Sequence, residues 1–192
     1  MSKLQSALDA IDAINQQDPN IERDNGQAVP KEILYSRRMT EMLLKYEESP
    51  TEELQIAARG QHIKRWDIPR KDFPMDRNGY LKWRTNLKLM HGRLLSEIMD
   101  QAGYDQSSID TVSTLVTKKK LKTDAASKKL EDVVCLVFLQ YYFADFSKEQ
   151  QEDKIIDIVQ KTWEKMTEKG HEMALQLPLG ETELELVKKA LG

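Results

Sequence analysis

Apolar residues recur every three or four positions along most of the chain, the period of an amphipathic helix rather than of a strand. Leu4, Leu8, Ile11 and Ile14 predict a first helix over residues 3–16, after which QDPNIERDNGQAVP breaks the period with Pro, Asn and Gly. That segment predicts a loop over 18–29. Pro30 suits a first helical turn, and Ile33, Leu34, Met39, Met42 and Leu43 carry a second helix to Tyr46. Ser49 or Thr51 can cap a third, with Glu52 and Glu53 favourably placed in its first turn, running to about Trp66. Pro69 and Pro74 forbid regular helix between them, so DIPRKDFPMDRNG reads as a connection, and connections of that length in compact domains are often functional.

A long helix over 79–101 follows, with Leu87, Met90, His91, Leu94, Leu95 and Ile98 on one face. Further helices are predicted over 108–119, 123–146 and 148–175, and from 181 onward. No alternating β-branched run competes, and DNGQ and RNGY read as turns between helices rather than hairpins. The expected fold is all-α, a single compact multi-helix domain over 1–192 with about seven to eight helices. Within it, 1–17 is an N-terminal helix, 18–29 a loop and 30–192 the helical core. Val133–Phe143 is apolar nearly all round, which predicts the centre of the bundle.

Composition agrees with a folded helical protein. Of 192 residues, 40% are hydrophobic and 32% charged, with only 8 Gly and 6 Pro. A net charge of −3 argues against a surface that grips nucleic acid as a whole, so a polyanion would have to be met by a local patch. The single cysteine, Cys135, excludes disulfides within the chain and a Cys-rich zinc site. No stretch approaches the roughly 18 apolar residues of a membrane span. No membrane partner and a cytoplasmic location are the expectation. The KKKLK run at 118–122 reads as a solvated helix end.

Two features carry candidate chemistry. His62, His91 and Asp132 fall on three different predicted helices, with Glu131 beside Asp132, and facing helices of a bundle commonly supply such N and O ligands to a metal. A carboxylate at the start of so apolar a helix is expensive to bury unless paired or metal-bound. The second feature is residues 61–84, QHIKRWDIPRKDFPMDRNGYLKWR, where seven cationic side chains against three aspartates leave a local charge of +4. Arginine presents a planar fork to phosphate oxygens, and tryptophan or tyrosine can stack on a base or a guanidinium. Gln61, Arg65, Trp66, Arg70, Tyr80, Trp83 and Arg84, with Arg38 from LYSRRM, are the candidate ligand-binding residues. The alternative reading has the aromatics pin the connection to the bundle and the arginines pair with acids. His171 is expected at the surface and Trp163 in the core.

At AARGQHIKRWDIPR, GYLKWR and LEDVVCLVFL the chain resembles an all-helical family of bacterial and fungal proteins described as a domain of unknown function, from the EILYSRRM helix through KTWEKM. A more distant resemblance is to the HD-domain metal-dependent phosphohydrolases, whose helical order LYSRRM, IAARGQHI, LMHGRLL and LEDVV follows. Ser36 stands where that pattern has its first histidine, and Gln61-His62 replaces its His-Asp pair, so His62, His91 and Asp132 are the ligands the resemblance implies. It implies an HD-like bundle holding Mn, Fe, Co or Zn, with Asp132 and Glu131 at the reacting centre.

The leading functional expectation is therefore a metal-dependent phosphohydrolase acting on a nucleotide or other small phosphorylated metabolite. Next comes a catalytically degenerate relative that only binds such a ligand, as a sensor would, and last an RNA-binding platform on the Arg and Trp segment.

Overall fold

The computed structural model describes residues 1–121 and 123–192; Lys122, the end of the KKKLK run, lies outside them. The chain divides into two compact units, Met1–Leu121 and Lys122–Gly192, where the sequence reading takes one domain. Among the described residues there are ten α-helices and one two-stranded hairpin, so the fold is mainly helical. No described helix is long and apolar enough to cross a membrane.

The first unit contains α1 (Lys3–Asn15), β1 (Ile21–Asp24), β2 (Gln27–Pro30), α2 (Lys31–Tyr46), α3 (Glu52–Arg59), α4 (Arg77–Gln101) and α5 (Gln106–Thr117). Ile11, Ile33, Met39, Leu43, Ile56, Leu95, Met99 and Val112 form its core, each shielded from solvent. Burying a side chain of that size contributes roughly 1.5–3 kcal/mol. Polar ties then fix the helices' mutual placement. Arg59 of α3 reaches Asp12 of α1 and Thr40 of α2. Asn15, at the end of α1, donates to Ser36 Oγ at 2.9 Å and accepts from the Lys64 amide at 3.0 Å.

Two expectations fail here. The loop predicted over 18–29 holds an antiparallel hairpin, pairing Ile21 with Pro30 through Asp24 with Gln27. Asn25 and Gly26 both have positive φ, 48° and 82°, as a tight two-residue turn of matching twist requires. The strands are only four residues long, half exposed and nowhere fully buried, so no apolar alternation announces them. Asp18, just before the hairpin, accepts from the Glu32 amide at 3.0 Å and caps α2, whose flanking Pro30 offers no side-chain cap.

The third helix also stops sooner than its periodicity suggests, at Arg59 rather than near Trp66. Lys64 adopts a left-handed φ of 54°, held by the bond from its amide to Asn15. Residues 61–64 are thus a turn, followed by short 3-10 turns at Arg65–Asp67 and Arg70–Asp72. Asp76 accepts from the Gly79 amide at 2.7 Å and starts α4 at Arg77. Gly79 admits no side chain, because a Cβ there would lie 2.0 Å from the Pro74 carbonyl oxygen.

The second unit contains α6 (Ala125–Val137), π-helical turns at Phe138–Tyr142, α7 (Phe143–Lys148), α8 (Glu152–Trp163), α9 (Glu168–Ala174) and α10 (Glu181–Leu191). Each of the two long helices expected over 123–146 and 148–175 is interrupted. Phe138 packs edge-on against Phe143 and Phe146 at 6.0 and 5.8 Å where the first widens into π turns. The second breaks before α9, where Asp132 accepts from the Thr167 amide at 2.8 Å and from its hydroxyl. Val133, Leu136, Val137 and Phe143 are fully buried, as the apolar run predicts. His171 is not a free surface residue: its ring stacks on Trp163 at 4.2 Å, and its Nε2 donates to the Trp163 carbonyl at 2.9 Å.

Candidate functional site

The turn after α3 presents His62 and Arg65 toward α2 and α4. His62 lies flat on the Tyr35 ring, with centroids 3.9 Å apart and planes within 11°. Arg65 Nη1 sits 3.1 Å from His62 Nε2. A guanidinium only donates, so Nε2 is the acceptor and the neutral ring carries its proton on Nδ1. That Nδ1 faces Glu32 Oε2 at 3.4 Å. His91, on α4, lies beside the pair with its ring centroid 6.3 Å from that of His62.

Trp83 supports this arrangement. Its Nε1 donates to the Ile68 carbonyl at 2.8 Å, pinning the connection to α4, while its ring carries the Arg65 guanidinium 4.8 Å from the centroid. Arg70 is bound to the Phe73 carbonyl at 3.0 Å and lies 6.0 Å from both the Tyr80 and Trp83 rings. The site is not sealed, since the His62 side chain is 24% exposed.

Burial and neighbouring charge set the protonation states. Burial pushes Glu32 up to about 7, raised further by Asp18 and Glu22 and opposed by Arg65 and Lys31. Burial, then Arg65, His91 and Arg84, hold His62 well below its ordinary value. His91 falls to about 3 through burial, Arg65 and Arg84. Both rings are neutral near pH 7. Among the described residues no carboxylate lies within ion-pair distance of Arg65 or Arg84, whereas Arg38 and Arg59 are both paired. Three buried polar atoms, Glu32 Oε2, Gln61 Oε1 and His91 Nε2, have no hydrogen-bond partner. Unpaired guanidinium groups beside neutral imidazoles make this site electropositive, which suits an anion.

Of the residues singled out in the sequence, His62, Arg65, Arg70, Tyr80, Trp83, Arg84 and His91 form one connected group in the first unit. Gln61 is buried next to His62, Trp66 is half-buried and Tyr80 is 43% exposed. Arg38 does not join them. Its guanidinium is spent on Glu22 at 2.6 Å and Asp24 at 3.1 Å, locking the hairpin to α2. Glu131 and Asp132 are buried in the second unit, where Asp132 gives both oxygens to Thr167.

The residues present do not fit the metal centre expected of His62, His91 and Asp132. Among the described residues no three His, Cys, Asp or Glu side chains are grouped to hold an ion, and Arg65 and Arg84 put positive charge beside His62 and His91. Glu32 and Tyr35 escape the sequence reading. Their signal is that the whole run Glu32–Ser36 is buried, leaving a carboxylate inside the opening turn of a helix.

With this geometry established, the chain belongs to the family described as Domain of unknown function (DUF4202), whose model matches residues 5–187. No curated protein and no solved structure matches it.

Proposed function

We propose that the Met1–Leu121 unit binds a small phosphorylated metabolite, with Arg65 and Arg84 taking the phosphate oxygens. The observation that carries this reading is that, among the described residues, no carboxylate lies within ion-pair distance of either guanidinium, although both act on the same two histidines. Keeping two such cations side by side costs Coulomb energy, and a bound phosphate would offset it through charge-assisted, bidentate hydrogen bonds. Trp83 keeps the Arg65 fork flat and preorganised, and Tyr80, at the rim, offers a ring face to an organic group such as a nucleobase.

A hydrolytic role is the second reading. The helical order resembling HD-domain phosphohydrolases supports it, and so does one geometric fact: a carboxyl titrating at about 7 lies 3.4 Å from an imidazole nitrogen. A carboxyl poised there can give or take a proton near neutral pH.

The test is calorimetric titration with inorganic phosphate, pyrophosphate and a nucleoside monophosphate. Arg65→Gln and Arg84→Gln should each weaken binding roughly ten- to a hundredfold, the loss expected for a hydrogen-bonded charged group. Circular dichroism should remain unchanged. Undiminished affinity in both variants would sink the reading, and phosphate release from a monoester, assayed with and without chelator, tests hydrolysis separately.

A further inference from the structure

We propose that the anion site is coupled to protons through Glu32: an oxyanion held at Arg65 and a proton on Glu32 favour each other, so anion capture draws a proton onto the buried carboxyl. This rests on the phosphate reading above and specifies how that site is regulated.

Glu32, His62 and Arg65 stand in sequence across one ring. Glu32 Oε2 faces one nitrogen of His62 at 3.4 Å, and Arg65 Nη1 meets the other at 3.1 Å. A single imidazole therefore separates the carboxyl from the guanidinium, so that each charge acts on the other without forming an ion pair. Burial works against the charge on Arg65; Glu32 supports that charge and Arg84 opposes it. In the other direction, burial works against the charge on Glu32 and Arg65 leads the groups that support it. Asp18 before the hairpin, Glu22 on β1 and Lys31 on α2 are the further charged groups acting on Glu32.

An ionised Glu32 is thus the leading counter-charge to Arg65. A bound oxyanion takes over that role for Arg65 and Arg84 together, through direct hydrogen bonds that Glu32 does not make. It also repels the Glu32 carboxylate across the ring. That carboxylate is buried, and its Oε2 receives no hydrogen bond that would keep it ionised. Glu32 already titrates at about 7, so a modest further rise changes its charge near neutral pH. His62 and His91 stay neutral over that range, held below their ordinary value by burial and the arginines.

Sulfate is the probe, because its charge does not change near neutral pH and any pH dependence belongs to the protein. By calorimetry on the full chain, sulfate should bind about three- to tenfold more weakly at about pH 8 than at about pH 6, as expected when anion and proton shift each other by about one pKa unit or more. At about pH 7.5, titrations in buffers of different ionisation heat should show uptake of roughly half a proton per sulfate bound. Glu32→Gln, neutral at every pH, should keep the parent's low-pH affinity throughout and take up no proton. Where inorganic phosphate binds and sulfate does not, the parent-to-variant ratio of affinities at each pH cancels the ligand's own ionisation and should show the same fall.

An affinity equal at both pH values, with no proton uptake, would overturn this inference and leave the oxyanion site standing. A pH dependence that survives in Glu32→Gln would overturn it too, since another group would then carry the proton. Neither sulfate nor phosphate binding at either pH would overturn the site itself.

Discussion

Two buried carboxylates, one from each unit, are treated in opposite ways. Asp132, fully buried, accepts from the amide and the hydroxyl of Thr167 at the start of α9. Glu32, 5% exposed, has an oxygen that receives no hydrogen bond and faces an imidazole at 3.4 Å. A buried charge that is fully hydrogen-bonded serves the fold, because its desolvation is offset locally. One left short of partners leaves that cost standing in the fold. The difference teaches that saturation of a buried acid, rather than its presence in an apolar segment, decides whether its burial stabilises or strains the unit around it.

The largest expected effect is on the saturated side. Asp132→Ala removes both acceptors from Thr167 and leaves an amide and a hydroxyl unsatisfied at the break between α8 and α9, costing about 3–4 kcal/mol. Asp132→Asn keeps an acceptor and should lose about half as much. Chemical denaturation of the second unit reads both. Losses below about 1 kcal/mol, within the range of an ordinary single hydrogen bond, would break the comparison.

This contrast also shows what the sequence made legible. Hydrophobic period located every helix start to within a few residues where the element was long and amphipathic, as in α1, α2 and α4. It could not see interruptions imposed from elsewhere in the chain. The end of α3 depends on Asn15, 49 positions away from Lys64, and the α8–α9 break on Asp132, 35 positions from Thr167. The same blindness governed the site. Composition singled out His62, Arg65, Trp83 and Arg84 because their types are conspicuous together, but nothing local distinguishes an arginine locked to a hairpin, Arg38, from one with no carboxylate within ion-pair distance, Arg65. A carboxylate beside a long apolar run drew attention to Asp132, while Glu32, in a more mixed helix, did not.

The next prediction inverts the sign of the first. Glu32 titrates at about 7 instead of 4.5, so the folded state holds its proton more tightly than the unfolded chain does. That favourable contribution is complete below pH 4.5 and is lost as pH rises through 7, by roughly 3 kcal/mol at the limit. Glu32→Gln should therefore stabilise the first unit relative to the parent at about pH 8, by up to roughly 3 kcal/mol, and bring little gain at about pH 4.5. The histidines act oppositely. His91, held to about 3, contributes stability that is in place above its ordinary 6.5 and drains away as pH falls. Comparing Glu32→Gln with the parent at each pH cancels that background, since both chains retain the histidines. A Glu32→Gln chain destabilised at about pH 8 as Asp132→Asn is would mean that Glu32 is structural after all.

The smallest effect sharpens the contrast through the tryptophans. Trp163 and His171 stack on each other and hydrogen-bond within their own unit, a closed arrangement. Trp83 is closed on one side only: its Nε1 satisfies the Ile68 carbonyl, while its ring carries the Arg65 guanidinium, which has no carboxylate within ion-pair distance among the described residues. Trp83→Phe keeps a ring and loses the indole donor, which should cost about 1 kcal/mol of stability, one ordinary hydrogen bond. Because phenylalanine also offers a poorer face to a cation, Arg65 becomes less ordered, and phosphate affinity should fall about two- to fivefold at the same time. Stability falling alone, with phosphate affinity intact, would reduce Trp83 to a peg for the connection. A matched fall in both ties the pinning of residues 65–76 directly to the anion site.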